Sequence, residues 1–362
     1  MPNVYAVIMA GGVGARFWPR SREKNPKQLL EIGGKASMIQ NTVRRIGDII
    51  EPTNILIVTN KLQKPAIVRQ LPSIPIDNII EEPIGRNTAP CIGLAALFVR
   101  RRDPDAVMVV LPSDHLVENE EEFKTVLRLA IWVAYESKSL ITIGIEPDRP
   151  ETGYGYIQVI DEKDGTNPYF ERGVYKVKTF AEKPNLSTAR RFLESGDFLW
   201  NSGMFIWSVA AILGEMQRLL PDLHSELQKV DSAIGGKQFE QTLETVYRTI
   251  RGVSVDYGIM EKARMVYVIR GNFGWSDVGS WDEVYRLSGK DEKGNNVTGK
   301  AFLLETKNAL LFSPNKFIAA IGVEDVIVIN TDDAILVCKR GWSQDVKEVV
   351  DYLRRKQMYD YL

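Results

Sequence analysis

Cysteine and histidine are scarce in this sequence. Its 362 residues include two cysteines and two histidines, which are Cys91, Cys338, His115 and His224. Two distant cysteines cannot supply the disulfide framework of a small secreted domain, and so few thiol and imidazole groups argue against a zinc cluster. A chain of this length buries enough surface to fold without such cross-links.

The sequence also lacks an excess of charge of either sign. Lysine and arginine number 46, aspartate and glutamate number 47, and the formal net charge is −1. A nearly neutral chain has no general field that would hold nucleic acid or an anionic membrane. We therefore expect neither of these partners, and any phosphate chemistry must depend on a local basic site.

Long hydrophobic runs are missing as well. The longest weakly polar stretch, at 204–213, is too short to span a bilayer. The N-terminal residues MPNVYAVIMAGG lack the basic region of a signal peptide and pass from an apolar run directly into glycines. These features predict a first strand rather than a leader, no membrane association, and a cytoplasmic location.

Short apolar runs alternate with helical patterns through the first 145 residues. The runs at 4–10, 55–59, 78–81, 106–111 and 140–145 are typical of strands covered on both faces. The segments at 37–50, 61–70, 88–102 and 121–137 have the pattern of helices. This alternation predicts a Rossmann-like α/β fold, with a mixed, mostly parallel sheet and helices on both faces.

The rest of the chain divides near residue 291. Runs at 154–160 and 174–180 predict an antiparallel pair joined by a turn at 161–168, and helices are predicted at 187–194, 209–220, 239–250, 254–262 and 345–356. Short β-type runs at 302–306, 308–312, 317–322, 326–331 and 334–339 fit a small β-sandwich or β-helix. We expect a main domain at 1–290, with a distinct part at about 150–290, and a β-rich domain at 291–362.

A glycine-rich loop follows the first predicted strand. Its residues Gly11, Gly12 and Gly14 let the backbone approach a ligand and direct successive N–H groups at an anion. Basic residues follow within a dozen positions, namely Arg16, Arg20, Arg22, Lys24 and Lys27. Because ligands bind at the carboxyl ends of parallel strands, this loop is predicted to bind phosphate.

Two common nucleotide-binding patterns are absent. The P-loop pattern G-x-x-x-x-G-K-[ST] fails because Gly34 and Lys35 are followed by Ala36. The dinucleotide pattern G-x-G-x-x-G fails because Phe17 stands in place of its last glycine. These failures argue against a P-loop ATPase and against a nucleotide-binding oxidoreductase.

Residues 11–28, with the sequence GGVGARFWPRSREKNPKQ, resemble the signature loop of nucleotide-sugar pyrophosphorylases, and in particular that of bacterial mannose-1-phosphate guanylyltransferases. Further motifs of the family follow in order: EPIGRNTAP, LPSDH, ETGYGYI, FAEKP, WNSGMF and GWSDVGSW. The resemblance covers essentially the whole chain. It implies the nucleotide-diphospho-sugar transferase fold and a reaction of GTP with α-D-mannose 1-phosphate that gives GDP-mannose and diphosphate.

The resemblance assigns the nucleotide to the glycine-rich loop. It implies that Gly11, Gly12 and Gly14 wrap the nucleotide, while Arg16 and Lys27 contact its phosphates as catalytic residues. An arginine offers a planar fork to a diphosphate and a lysine offers a compact charge to a reacting phosphate. In this family the sugar phosphate attacks the α-phosphorus directly, so no covalent nucleophile is expected.

Base recognition is implied at residues 82–90. Guanine presents an N–H group and an amino group, so the site needs hydrogen-bond acceptors. Glu82, Asn87 or local carbonyls could supply them, and their ranking stays open at this point. Arg86 is a candidate for the guanine O6 or a phosphate, and Thr88 with the start of its predicted helix forms a polar edge beside the nucleotide.

A divalent metal is also implied by the resemblance. The family places two aspartates on one Mg²⁺, and these match Asp114 of LPSDH and Asp277 of GWSDVGSW. Carboxylates, phosphate oxygens and water are the ligands that this hard cation prefers. His115 is expected to pack beside the site rather than to bind the metal.

The sugar phosphate is assigned to three other motifs. Lys183 of FAEKP resembles the family lysine that holds the sugar phosphate, and Glu182 and Asn201 would hydrogen-bond sugar hydroxyls. Gly153 of ETGYGYI would let the sugar ring approach the backbone.

Two alternatives stay open besides this interpretation. One is a pyrophosphorylase on the same fold that uses another sugar 1-phosphate or base, and the other is a non-catalytic nucleotide-sugar sensor. Some family members carry a fused isomerase domain with a histidine-rich metal site, whereas no histidine follows residue 291 here, so the transferase alone is expected. The resemblance further suggests a homodimer to which the β-rich tail contributes.

Overall fold

The computed structural model describes residues 2–160 and 165–362. Its strands in chain order are β1 (Val4–Met9), β2 (Ile55–Asn60), β3 (Ile79–Glu82), β4 (Val107–Pro112), β5 (Leu116–Val117), β6 (Leu140–Ile145), β7 (Gly155–Ile160), β8 (Val174–Glu182), β9 (Phe198–Ser208), β10 (Val266–Gly271), β11 (Trp275–Ser276), β12 (Asn296–Leu304), β13 (Leu310–Ile321), β14 (Val326–Asn330) and β15 (Ile335–Lys339).

The helices connect these strands as the sequence predicts for an α/β chain. They are α1 (Met38–Ile46), α2 (Lys64–Gln70), α3 (Thr88–Arg102), α4 (Glu120–Ser137), α5 (Leu186–Ser195), α6 (Val209–Leu219), α7 (Pro221–Ala233), α8 (Phe239–Thr249), α9 (Trp281–Leu287) and α10 (Val346–Arg355). Sequence analysis missed two helices and four strands, namely α7, α9, β5, β9, β10 and β11. The helix expected at 254–262 is a single π-helical turn at Asp256–Met260.

The main sheet, within the described residues, has the strand order β3-β2-β1-β4-β9-β6-β10-β8-β7. Strand β1 pairs in parallel with β2 and β4, and β2 pairs in parallel with β3. Strand β9 enters antiparallel between β4 and β6, and the predicted antiparallel pair is β7 with β8. The predicted mixed sheet is confirmed, with its parallel part made by β1–β4 and by β6 with β10. Residues 161–164 of the predicted turn lie outside the described residues.

Both faces of this sheet are buried, as the continuous apolar runs predict. In β1, Ala6 and Ile8 belong to a core shared with α1, α2 and α4. Their neighbours Tyr5 and Val7 belong to a second core, which α3, α6, α7 and α8 cover. Successive side chains of a strand point to opposite faces, so one strand contributes to both cores.

The C-terminal region forms a second sheet in the order β12-β13-β14-β15. Strands β12, β13 and β14 pair in parallel, and β15 is antiparallel to β14. Parallel pairing of successive short strands favours the β-helix over the β-sandwich. The runs expected at 308–312 and 317–322 join into the single strand β13, which has a register shift opposite Gly299.

The C-terminal region packs directly on the glycine-rich loop (residues 11–28). One buried apolar cluster joins Phe17, Trp18 and Trp281 to β14, β15 and α10. The indole N–H of Trp18 donates to the carbonyl of Tyr361 at 2.9 Å, and Arg22 forms an ion pair with Asp333 at 2.8 Å. Contacts with residues more than 300 positions later in the chain therefore stabilise the conformation of the loop.

No helix in the described part of the chain is long and apolar enough to cross a membrane.

Candidate active site

Two adjoining cavities open at the carboxyl ends of β1 and β4. The large cavity has a volume of about 680 Å³. Of the predicted site residues, its lining includes Gly11, Gly12, Glu82, Arg86, Asn87, Thr88, Gly153, Glu182, Asn201 and Asp277. The small cavity, of about 160 Å³, is lined by Gly14, Arg16, Lys27, Asp114 and Asp277. Lys183 lines neither cavity, and it lies directly beside Glu182.

The two predicted metal-binding aspartates meet through the short sheet of β5 and β11. Ser276 pairs with Leu116 in an antiparallel register. Asp277 follows Ser276, and Asp114 precedes Leu116 by two residues, so the pairing brings two residues that are 163 positions apart into one cavity. Burial raises the pKa of Asp277, and repulsion from the Asp114 carboxylate acts in the same direction, as expected for neighbouring carboxylates.

Lys27 lines the small cavity and contacts both aspartates. Its Nζ is 2.8 Å from Oδ2 of Asp114 and 2.5 Å from the carbonyl oxygen of Asp277. The residue is only 5% exposed, although a basic residue in a glycine-rich loop is usually solvated. Burial acts to raise the pKa of Asp114, but the charge and the hydrogen bond of Lys27, together with contributions from other neighbouring groups, lower that pKa overall. Lys27 thus holds the two aspartates in one arrangement.

Tyr154 orients the carboxylate of Asp277. Its hydroxyl donates to Oδ1 of Asp277 at 2.8 Å, and its ring packs edge to face on Trp200 and Trp275. Burial and the Asp277 charge raise the pKa of the Tyr154 hydroxyl, which therefore stays protonated and remains a donor. Sequence analysis treated this tyrosine only as part of a strand pattern.

The residues of the small cavity fit a divalent cation. Among the described residues no group of three or more histidine, cysteine, aspartate or glutamate side chains could hold a metal ion. Two carboxylates on one cavity wall provide only part of a coordination shell for Mg²⁺, which commonly completes it with phosphate oxygens and water. Asp114 and Asp277 are therefore suited to a cation that arrives with a phosphate ligand.

Arg16, unlike Lys27, has no hydrogen-bonding or ion-pair partner within the described residues. Its side chain is exposed, lines the small cavity and makes no hydrogen bond or ion pair with the described part of the chain. A free guanidinium at the mouth of a cavity is well placed to bind phosphate oxygens with its planar fork of donors.

Glu82 presents a buried carboxylate to the large cavity. It is 6% exposed, and the Tyr247 hydroxyl donates to its Oε1 at 3.0 Å. Burial raises the pKa of Glu82 to about 7. A Cβ added at Gly11 would lie 3.7 Å from Oε2, which places the second oxygen beside the glycine-rich loop. This carboxylate is a fixed acceptor at the cavity wall.

The other residues of the predicted base motif are largely engaged with the protein itself. Arg86 donates to the carbonyls of Tyr247 and Arg248 at 2.8 and 3.1 Å. Asn87 accepts from the N–H of Thr88, and the Thr88 hydroxyl accepts from the N–H of Val255. These bonds use two of the five N–H donors of the Arg86 guanidinium and part of the α3 N-terminus, which we had expected to face the nucleotide.

The far end of the large cavity carries hydroxyl-binding groups. Asn201 donates to Oδ1 of Asp256 at 2.7 Å, and both residues line the cavity with Glu182. Lys183 forms an ion pair with Glu182 at 2.5 Å and remains 62% exposed in its side chain, so it can turn to a ligand at low cost. Asp256 was missed because its segment was predicted only as a helix.

His115 and Trp275 were given no functional role from sequence. The Trp275 indole Nε1 lies 3.1 Å from Nδ1 of His115, and His115 lines both cavities. Burial lowers the pKa of His115 to about 4. Only the pairing of β5 with β11 brings these residues together, so their spacing of 160 positions gives no signal in the sequence.

Known proteins resemble this chain over nearly its whole length. Residues 5–294 match the family described as nucleotidyl transferase, and residues 299–353 match the MannoseP isomerase/GMP-like beta-helix domain. The mannose-1-phosphate guanylyltransferase of Klebsiella pneumoniae is 41% identical over 360 residues, which cover 98% of this chain and 75% of the relative. The protein of the same name from Escherichia coli K12 is 36% identical over 364 residues, with 99% and 75% covered.

Solved structures give the same picture of the fold. A Thermus thermophilus protein named mannose-1-phosphate geranyltransferase superposes with a TM-score of 0.85 at 32% identity, over 97% of this chain and 99% of that one. A Helicobacter pylori protein named mannose-6-phosphate isomerase superposes with a TM-score of 0.60 at 24% identity, over 76% of this chain and 99% of that one, and shows the fold alone. The predicted fold and family are confirmed, and the chain belongs to the nucleotidyl transferase family, in its mannose-1-phosphate guanylyltransferase group.

Proposed function

We propose that the protein transfers the guanylyl group of GTP to α-D-mannose 1-phosphate, giving GDP-mannose and diphosphate. The observation that carries this proposal is the joining of the two cavities through Asp277, which lines both. A nucleotide loop and a set of hydroxyl-binding groups share the large cavity, and a cluster of charges suited to phosphate lies at its side. Names of relatives at up to 41% identity support the same reaction.

The proposed chemistry is a direct displacement. An oxygen of the sugar phosphate forms a bond to the α-phosphorus of GTP, and the bond from that phosphorus to the bridging oxygen of the diphosphate breaks. Diphosphate leaves with the electron pair, so no covalent enzyme intermediate is needed. The protein has to align two polyanions and balance charge on the reacting phosphate.

Arg16, Lys27 and the glycine-rich loop would perform this task. Arg16, exposed and unpaired in the described part of the chain, would bind the departing diphosphate. Lys27 is fixed by Asp114 and the Asp277 carbonyl, so its charge needs little reorganisation during the reaction. Gly11 and Gly12 are exposed at the cavity and leave the backbone open to the triphosphate.

Nucleotidyltransferases of this kind generally use a divalent metal. We propose Mg²⁺, held by Asp114 and Asp277 together with the triphosphate. When bound, it supplies positive charge to the phosphate oxygens. Tyr154 keeps the Asp277 carboxylate oriented for this purpose through its hydrogen bond to Oδ1.

Glu82 is the guanine acceptor that the geometry supports best. Its carboxylate can accept from both the ring N–H and the amino group of guanine, while Arg86 and Asn87 are bound to the protein backbone. The Tyr247 hydroxyl holds Oε1 of Glu82 and so limits rotation of the carboxylate. Adenine lacks both donors at these positions and would leave this buried acceptor unpaired, which is costly.

The sugar end of the large cavity would bind mannose 1-phosphate. Glu182, Asn201 and Asp256 offer acceptors and one amide donor to the sugar hydroxyls. Gly153 is exposed at the same wall, and Lys183 would turn from Glu182 to the sugar phosphate.

A diphosphate-release assay tests the proposed function. GTP with mannose 1-phosphate should give release that depends on Mg²⁺ and stops in EDTA, and GDP-mannose should be found by chromatography. Parallel reactions with ATP, UTP and dTTP, and with glucose 1-phosphate, identify a related pyrophosphorylase if one of them is faster. Binding of GDP-mannose without release from any pair would instead identify a sensor.

We also propose a homodimer that uses the C-terminal sheet. Phe302 and Leu304 of β12 and Phe317 and Ile321 of β13 lie on one sheet face and are 49 to 68% exposed. An apolar face of this kind is typical of an interaction surface. Light scattering should give about twice the mass of one chain, and Phe317→Glu should shift it to a single chain. A monomeric wild-type protein at micromolar concentration would contradict the proposal.

A further inference from the structure

His115 lies where the two cavities meet, and both of its ring nitrogens can be accounted for. Its Nδ1 is 3.1 Å from Nε1 of Trp275, and the two rings meet edge to face with their centroids 5.3 Å apart. An indole N–H can only donate a hydrogen bond. Nδ1 of His115 is therefore the acceptor and carries no proton.

The position of the ring proton follows from this contact. A neutral imidazole whose Nδ1 is unprotonated carries its proton on Nε2. Within residues 2–160 and 165–362 Nε2 has no hydrogen-bond partner, and His115 is not fully buried. The Nε2–H group is thus available to a ligand as a donor, and it has no lone pair left for a metal.

The surroundings of His115 hold it in place. The Arg45 guanidinium donates to its carbonyl at 3.2 Å, and β5, which begins at the next residue, pairs with β11. The same short sheet carries Trp275, so the donor and the acceptor of the indole–imidazole bond move together. The pairing of β5 with β11 therefore fixes the Nε2-protonated tautomer of His115.

We infer that His115 is a further catalytic residue, which donates its Nε2–H to a non-bridging oxygen of the phosphate at the junction of the two cavities, and that Trp275 is the positioning residue that fixes the tautomer. The inference rests on the proposed function, under which this phosphate is the α-phosphate of GTP. A fixed neutral donor stabilises charge on that oxygen as the transition state forms, without adding a cation beside Lys27.

Nuclear magnetic resonance of protein labelled with ¹⁵N-histidine tests the tautomer. The chain has two histidines, so His224 provides an internal reference and His224→Gln assigns the signals. We expect His115 to carry its proton on Nε2 alone, and α,β-methylene-GTP to slow the exchange of that proton with water. A proton on Nδ1, or an Nε2–H unaffected by the nucleotide, would overturn the inference.

Two amide variants test the catalytic role. The side-chain amide of glutamine reaches the region of Nε2, whereas that of asparagine stays near Nδ1. His115→Asn should lower kcat by about ten- to a hundredfold, with smaller changes in both KM values. His115→Gln should keep most of the turnover that asparagine loses. Equal losses in the two variants, with both folded by circular dichroism, would contradict a donor at Nε2.

Trp275→Phe tests the positioning role. It keeps an aromatic ring but removes the indole N–H, so the Nδ1-protonated form of His115 should become visible in the spectrum and kcat should fall. The double variant with His115→Asn should be no worse than His115→Asn alone, because both changes remove one interaction. Additive losses would overturn the positioning role. The proposed function is tested separately, since it stands or falls with GDP-mannose formation by the wild-type protein.

Discussion

Gly14 and Lys27 approach each other so closely that a Cβ on residue 14 would lie 2.5 Å from the Cβ of Lys27. Gly14 also has a φ of +72°, which disfavours any side chain. Gly14→Ala should therefore displace Lys27 from Asp114, lower stability by about 2 kcal/mol and reduce kcat by tenfold or more. Thermal unfolding and steady-state kinetics measure the two effects.

Gly12→Ala is the matched control for this change. Apart from its chain neighbours, a Cβ at Gly12 would meet no atom of the described residues within 4 Å, so folding stability should be unchanged. Because Gly12 lines the large cavity, the methyl group should raise the KM for GTP without disturbing Lys27. If both glycine variants lose equal stability, the close approach of residue 14 to Lys27 is not what the loop requires.

Asp114→Asn and Asp277→Asn should each keep the fold and reduce kcat by about a hundredfold or more, because each removes one charge from the proposed cation site. The double variant should be little worse than the poorer single variant, since both residues serve one ion. Mn²⁺ binding in the presence of GTP, followed by electron paramagnetic resonance, should weaken in parallel. Independent, multiplying losses would contradict a shared metal.

Glu82→Gln should weaken discrimination between GTP and ATP. The amide offers one acceptor and places an N–H group against a guanine donor, so the KM for GTP should rise by about ten- to a hundredfold. The KM for mannose 1-phosphate should not change, because Glu82 lies at the nucleotide wall. Tyr247→Phe should give a smaller effect of the same kind. A selectivity for GTP that survives Glu82→Gln would remove Glu82 from base recognition.

The affinity for GTP should depend on pH through Glu82. Burial raises the pKa of this group to about 7, and the protonated form can no longer accept two hydrogen bonds from guanine. The KM for GTP should rise by up to about tenfold per pH unit below 7 and level off above it. The folded state binds this proton more tightly than the unfolded chain, so the Glu82 contribution to stability falls as pH rises from about 4.5 to 7. Glu82→Gln should remove both dependences.

Removal of the residues after 294 should destabilise the remaining chain, although every proposed catalytic residue precedes that point. The truncation would expose Phe17, Trp18 and Trp281, which share a buried cluster with β14, β15 and α10. Loss of this apolar burial should lower Tm by about 10 °C or more, or make the product insoluble. A truncated chain with unchanged Tm and activity would show that the glycine-rich loop holds its shape alone.

Sequence reasoning recovered the elements whose signal is local. Strands β1 to β4 and β6 were predicted to within one residue, because their apolar runs and flanking turns are continuous in the chain. The motif residues were named through the family resemblance, and the structure places all of them except Lys183 along the two cavities. Sequence analysis gave no role to Asp256, Tyr154 or Trp275. Their proposed roles arise from contacts with residues 55, 123 and 160 positions away. The commitment of Arg86 to backbone carbonyls near the end of α8 is also invisible in its own motif.

The contact between the glycine-rich loop and the C-terminal sheet has a consequence for protein engineering. Two relatives could be recombined at residue 291, where the sequence looks like a domain boundary. In such a hybrid, the glycine-rich loop of one relative would pack against the C-terminal region of the other, which matches a different loop. Such a hybrid should function only when Trp18 and Arg22 come from the same parent protein as the segment that contains Asp333 and Tyr361. The unit that can be exchanged is therefore discontinuous in the chain, and it unites the nucleotide loop with the far C-terminal residues.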